Sequence, residues 1–96
     1  MLTVERDAAR HIVELVRAEG AAPEGGLRVQ ALAGANPERP EVTAEVSATA
    51  SETDTVFVDE DTGARVFADQ ATADVVDGRA LVLVRDGDRP PVFSVR

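Results

Sequence analysis

The chain has 96 residues and no cysteine, and its 18 acidic and 10 basic side chains give a formal net charge of -8. A chain of this length folds around one modest hydrophobic core, so we expect a single domain over residues 1–96. Its negative charge repels nucleic acid and anionic lipid, which excludes both as expected partners. The lack of cysteine excludes disulfides and thiolate chemistry.

The N-terminal residues show no basic region followed by the long apolar run of a secretory signal. No stretch approaches the ~20 apolar residues that a membrane-spanning helix needs. We therefore expect a cytoplasmic protein. With three phenylalanines and no tryptophan or tyrosine, its core must be built mainly from valine, leucine and alanine.

The first half of the chain predicts one helix and two strands. The helix covers Glu5 to Glu19, with Gly20 at its end and one apolar face made of Ala8, Ile12, Leu15 and Val16. Leu27 to Ala31 and Val42 to Ala48 alternate between apolar and polar residues, as strands with one wet face do. Residues 33–40 contain two prolines and a glycine, which indicates a loop between these strands.

The second half predicts a hairpin, a short helix and two further strands. Val56 to Val58 and Ala64 to Ala68 form the hairpin, and Asp69 caps a helix over Gln70 to Val76. An Asp77-Gly78 turn leads to a strand at Leu81 to Val84, and Val92 to Val95 forms the last strand.

These elements predict an α+β fold in which the N-terminal helix covers a mixed or antiparallel, barrel-like sheet. The short second helix connects two of its strands. We expect the core to include Ile12, Leu15, Val29, Val56, Val66, Val75, Leu81 and Val84.

The order of these elements resembles the A-type iron-sulfur carrier family, also called the HesB/IscA-like family. The landmarks, in chain order, are Ala8-Ala-Arg-His-Ile12, Gly26-Leu-Arg-Val29, Asp54-Thr-Val-Phe57, Gly63-Ala-Arg-Val66 and Asp77-Gly-Arg-Ala-Leu81. Each motif alone is generic, but together they span nearly the whole chain. The resemblance implies a HesB/IscA-like single domain and a link to iron-sulfur assembly proteins as partners.

The ligand positions depart from the family. Its members bind their cluster through three cysteines, one in a Gly-Cys-Ser-Gly loop and two in a C-terminal Cys-Gly-Cys. The loop position corresponds to Gly34, Ala35 and Asn36, a degenerate ligand loop, and no Cys-Gly-Cys occurs before Arg96. An amide oxygen replaces a soft thiolate poorly, so we expect no cluster and no other cofactor.

Other sites find equally little support. The Asp59 to Gly63 turn has its glycine at the fifth rather than the sixth position of a calcium loop. Asp69, Asp74 and Asp77 are interpreted as structural, and no metal site is expected. His11 is expected to pair with Asp7 on the helix surface, and the serines lie in no nucleophile motif. The sequence therefore predicts a protein that is not an enzyme.

Two functional hypotheses follow. The first is a non-enzymatic, cysteine-less relative of the carriers that acts as a protein-interaction or regulatory module. The alternative is an acidic adaptor or small-ligand-binding domain unrelated to iron-sulfur assembly. Because the net charge is -8, we expect any homodimer to be weak and to tighten with salt.

Overall fold

The computed structural model of the chain describes residues 1–21, 23–32, 38 and 40–96. Within them the chain forms seven strands and two helices: β1 (Thr3–Val4), α1 (Arg6–Ala18), β2 (Gly26–Ala31), β3 (Val42–Ser47), β4 (Thr55–Val58), β5 (Arg65–Ala68), α2 (Gln70–Val76), β6 (Ala80–Val84) and β7 (Val92–Val95). The helices and the longer strands agree with the sequence prediction to within about two residues at each end. Neither helix is long and apolar enough to cross a membrane within this described part of the chain.

The strands belong to two mixed sheets. One sheet has the order β1-β6-β7, with β1 parallel and β7 antiparallel to β6. The other has the order β3-β2-β5-β4, in which the central pair β2 and β5 is parallel and both outer pairs are antiparallel. β3 and β7 approach each other without joining the sheets. The predicted α+β class and mixed sheet are confirmed, but the described strands do not close into a barrel.

Helix α1 covers β2 and β6 with a face of small and branched side chains. Its buried residues are Ala8, Ala9, Ile12 and Val16. Gly20 ends the helix with φ of 71°, and the Ala21 N–H donates to the Val16 carbonyl at 2.9 Å. This left-handed glycine satisfies carbonyl groups that the helix itself leaves unbonded. Leu15, expected on the buried face, is only half-buried because Ala9 lies closer to the sheet side.

The predicted core is right at four positions and wrong at two. Ile12, Val29, Val66 and Leu81 are buried, and Leu15 and Val84 are half-buried. Val56 and Val75 are 41% and 39% exposed, whereas their chain neighbours Phe57 and Val76 are buried. Successive side chains of a strand point to opposite faces, so pairing of Phe57 with Val66 on the core side turns Val56 outward. In α2, Val76 rather than Val75 lies on the packed face.

Gly26 allows β2 to lie against β5. A Cβ atom at this position would stand 2.6 Å from the carbonyl oxygen of Arg65 and 2.9 Å from its Cβ. Both distances are far below van der Waals contact, and the nearest atom belongs to the backbone of the neighbouring strand. A side chain at Gly26 would therefore force the two strands apart at the start of their parallel pairing.

We expect Gly26→Ala to lower the free energy of unfolding by about 1 to 3 kcal/mol through overpacking. Glycine to alanine in an unobstructed strand interior usually raises stability by about 0.5 to 1 kcal/mol, so the sign of the effect is diagnostic. Urea unfolding followed by circular dichroism measures it. A stabilised Gly26→Ala protein would contradict the close approach of these strands.

Leu81 is the second residue of β6 and is fully buried against α1 and the neighbouring strands. We expect Leu81→Ala to cost about 2 to 5 kcal/mol, because it removes buried methyl groups and leaves a cavity. The matched control is Val92→Ala on β7, where the side chain is 58% exposed and the change should stay within about 0.5 kcal/mol. Equal losses in the two variants, measured by chemical unfolding, would refute this assignment of the core.

Candidate functional site

The loop that the sequence analysis singled out connects β2 to β3. Gly34, Ala35 and Asn36 lie outside the described residues. Its two described flanks meet: the Leu32 N–H donates to the Glu41 carbonyl at 2.9 Å, which extends the β2-β3 ladder by one step. The loop therefore leaves and re-enters the sheet at the same end.

The C-terminal strand reaches this same end of the molecule. Both flanks of the loop and β7 line a cavity of about 210 Å³, formed by Leu32, Pro40, Glu41, Val42, Phe93, Ser94 and Val95. We call this region the loop-terminus site. Its geometry brings the described flanks of the loop close to the last strand of the chain. Sequence order alone separates them by more than fifty residues.

Two further contacts hold the loop-terminus site in position. Thr72 of α2, 2% exposed, accepts a hydrogen bond from the Ala31 N–H at 2.9 Å and so fixes the last residue of β2. Arg79 Nη1 donates to the Glu38 carbonyl at 3.4 Å. Sequence reasoning missed Thr72, because the helical pattern of Gln70 to Val76 does not indicate which strand the threonine contacts.

Asp69 positions Thr72. The Thr72 N–H donates to Asp69 Oδ1 at 2.8 Å, which confirms the predicted helix cap. This bond and one from the Thr72 hydroxyl hold the pKa of the Asp69 carboxyl below its ordinary value, because both favour the charged form. The other acidic residues near α2 also have local partners. Asp74 accepts from Gln70 Nε2 at 2.9 Å, and Asp77 pairs with the α-amino group of Met1, which lowers its pKa.

The side chains at the loop-terminus site offer only hard oxygen donors. Its lining contains the carboxylate of Glu41 and the hydroxyl of Ser94, with apolar residues around them. Among the described residues, no group of three or more histidine, cysteine, aspartate or glutamate side chains is placed to hold a metal ion. The site is therefore a depression beside a loop with a mixed polar and apolar lining, and its described residues present no converging set of ligands.

His11 lies in an apolar groove that adjoins the loop-terminus site through Val42 and Phe93. The groove, of about 560 Å³, is lined by His11, Leu15, Val42, Ala44, Pro90, Pro91, Val92 and Phe93. The imidazole packs against the Phe93 ring at 5.6 Å between centroids, and its Nδ1 is 3.9 Å from Glu14 Oε2. The expected pairing with Asp7 is wrong: the carboxylate on the following turn faces the ring instead.

Asp54 is an anchor between strands rather than part of a reactive site. Its side chain is 3% exposed, lies 2.8 Å from Arg28 Nη1, and accepts from the Ser51 N–H at 2.7 Å. The Arg28 guanidinium also stands 5.9 Å from the centre of the Phe67 ring, on the face of the sheet opposite the main core. These contacts connect β2, β5 and the residues that lead into β4.

Because Asp54 is buried and paired, we expect Asp54→Ala to lower the free energy of unfolding by about 2 to 4 kcal/mol. This is somewhat below the loss for breaking a fully buried pair, since Arg28 keeps 19% of its side chain exposed. Glu52→Ala is the control, an exposed acid in the same segment, and should change stability by at most about 0.5 kcal/mol. Thermal and urea unfolding of both variants decide the matter; a loss no larger than that of the control would contradict the anchor role.

Two solved structures are similar to this chain over nearly all of its length. The first is the crystal structure of Escherichia coli SufA, involved in biosynthesis of iron-sulfur clusters, with 25% identity and a TM-score of 0.77; the match covers 99% of this chain and 83% of SufA. The second is IscA with a [2Fe-2S] cluster, with 15% identity and a TM-score of 0.66, covering 100% of this chain and 84% of IscA. No protein-family model matches the sequence, and no curated protein does.

The donor set of this chain does not fit the cluster that IscA holds in its structure. Iron-sulfur clusters are held by cysteine thiolates, occasionally with histidine. These 96 residues contain no cysteine, and their one histidine packs against Phe93 in the groove described above. Fold and cofactor chemistry therefore diverge in this protein.

Proposed function

Starting from the HesB/IscA-like fold of this chain, which the structural matches support, we propose that it is a non-enzymatic, cysteine-less relative of the A-type carriers. In this proposal the protein acts as an interaction or regulatory module in iron-sulfur biosynthesis, through contact with another protein. The observation that carries the proposal is the whole-chain likeness to SufA combined with a sequence that has no thiol.

The physical reason is that the chain has a carrier-like backbone fold but no cysteine side chains to act as donors. The described flanks of the loop lie beside the final strand at the loop-terminus site, and Thr72 and Arg79 hold Ala31 and Glu38 near it. A protein surface of this shape can still be recognised by a partner, whereas thiolate ligation requires cysteine itself. Recognition of a partner is therefore the part of carrier behaviour that this chain is equipped to keep.

A small-ligand-binding role is the weaker candidate. One cavity of about 330 Å³ lies between α1 and the turn before β5, within the size range of ligand pockets. Its polar lining residues, Arg17, Thr62 and Arg65, are exposed or half-buried, and the rest of its wall is apolar or glycine. Ligand sites need a few converging, desolvated polar groups, and this cavity offers none among the described residues.

The remaining parts of the proposal rest on sequence. We keep the expectation of a single domain over residues 1–96 that works in the cytoplasm. A protein partner is preferred over nucleic acid or membrane because the net charge is -8. The same charge makes any homodimer weak at low ionic strength. Gly34, Ala35 and Asn36 stay the proposed degenerate ligand loop.

We expect the unaltered protein, incubated anaerobically with ferrous iron, sulfide and reductant, to form no stable cluster and to show no charge-transfer absorbance. Carboxylates hold ferrous iron loosely and exchangeably, while clusters require anionic, polarisable sulfur ligands. Absorption spectra and iron and sulfide analysis after desalting provide the measurement. A stoichiometric cluster on the unaltered protein would overturn the proposal.

A rebuilt variant tests the alignment with the carriers. Asn36→Cys together with an appended Cys-Gly-Cys after Arg96 supplies three thiolates per chain, and should give a coloured, oxygen-sensitive species under the same conditions. The matched control carries Asn36→Ser and an appended Ser-Gly-Ser, which keeps size and flexibility but removes sulfur. If the rebuilt protein is as colourless as this control, the placement of the ligand loop at Asn36 is wrong.

A further inference from the structure

The outer edge of β4 is an unprotected strand edge. β4 is the last strand of the four-stranded sheet, and within the described part of the chain it pairs with β5 alone. Among the described elements, β5 is the one against which β4 packs extensively. Exposed edges of this kind are templates on which another extended chain can pair.

The pattern of hydrogen bonds between β4 and β5 directs the N–H and carbonyl groups of alternate β4 residues toward that outer edge. The Asp59 N–H donates to the Ala64 carbonyl at 2.9 Å, one step beyond the Val58 and Arg65 pair. Bonded and non-bonded pairs alternate along an antiparallel ladder, so the N–H and carbonyl groups of Phe57 also point toward β5. Those of Val56 and Val58 consequently point away from β5, toward solvent.

At four residues β4 is short, but it has no proline and no charged side chain, and no other described element covers it extensively. The two residues whose backbone groups point outward, Val56 and Val58, carry apolar side chains that are 41% and 49% exposed. Proteins commonly protect an edge with proline, inward charges or a covering element. By contrast, β7 is preceded by Pro90 and Pro91 and lies beside β3.

The charge around β4 selects the partner. From Ser51 to Ala64 the chain has five acidic residues and no basic one. Asp54 is engaged by Arg28, but Glu52, Glu60 and Asp61 are exposed at the two ends of the strand. In an antiparallel pairing of β4 with a second copy, each acidic turn would face the acidic end of the other strand. Charge complementarity therefore favours a basic strand over a second copy of this chain.

We propose that the outer edge of β4 is a docking strand to which an extended, basic segment of a partner protein adds as a fifth strand. The partner's backbone pairs with Val56 and Val58, its apolar side chains cover these valines, and its basic residues face the acids at both ends. Backbone hydrogen bonds supply affinity, and the alternation of apolar and basic side chains supplies selectivity. The inference rests on the proposed function as a protein-interaction module and assigns the surface that it uses.

The test uses a fluorescein-labelled synthetic peptide of alternating valine and arginine, titrated with the full chain and followed by fluorescence anisotropy. Val58→Pro removes the outward N–H of the edge while leaving the bonds from β4 to β5 intact, as proline is tolerated on edge strands. Val58→Thr is the matched control, since it keeps the N–H group and the branched side chain. Circular dichroism verifies that both variants fold.

We expect Val58→Pro to weaken binding at least about tenfold and Val58→Thr to change it by at most about twofold. A peptide with glutamate in place of arginine should not bind. A peptide N-methylated at its valines should lose affinity, because these residues lie opposite Val56 and Val58 and their N–H groups face the edge. Hydrogen exchange distinguishes strand addition from adsorption of the peptide to the acidic surface. Strand addition slows exchange of the Val56 and Val58 amides, whereas adsorption does not.

Three results would overturn the proposal: equal affinity of Val58→Pro and the unaltered protein, equal binding of the N-methylated peptide, or unchanged exchange of the two valine amides on saturation. Protection of the Val56 amide in the unbound protein at high concentration, lost in the Val58→Pro variant, would show that a second copy occupies the edge and would also overturn it. Each of these outcomes leaves the cluster experiment untouched, so failure of this inference is distinguishable from failure of the proposed function.

Discussion

The parallel pairing of β2 with β5 is the contact on which the rest of this structure depends. Gly26 makes the close approach possible, and the paired residues Leu27 and Val66 are both buried beneath α1. The opposite face of the same pair carries Arg28 over Phe67. Because β3 and β4 attach to the two sides of this pair, the loop-terminus site and the β4 edge both take their positions from it.

The geometry of the loop-terminus site does not depend on cysteine ligands. Backbone contacts, a buried threonine and an arginine fix the flanks of the loop, and none of these contacts requires a metal ligand. Folding depends on packing and hydrogen bonding, whereas cluster binding depends on the identity of a few donor atoms. A chain can therefore keep the SufA-like fold and lose the ligands without a conflict between the two.

Charge and strand edges act together in this protein. A net charge of -8 makes copies of the chain repel one another at low ionic strength, which opposes pairing of open edges such as that of β4. The same charge makes the edge selective for basic segments. Paired acids such as Asp54 and Asp69 serve the fold, so it is the exposed acids beside β4 that are left to face a partner.

The sequence by itself determined the elements, because each depends on local patterns: apolar periodicity in α1, the Asp69 cap of α2, and the Asp77-Gly78 turn. It also excluded thiolate ligation, since no fold can supply an absent cysteine. Only the tertiary structure decided which of two adjacent apolar residues is buried. Phe57 rather than Val56, and Val76 rather than Val75, is buried, because that choice depends on partners far along the chain. It likewise decided the pairing of Arg28 with Asp54, the contact of Thr72 with β2, and which strand lies at a free edge. These are long-range contacts, and local sequence carries no signal for them.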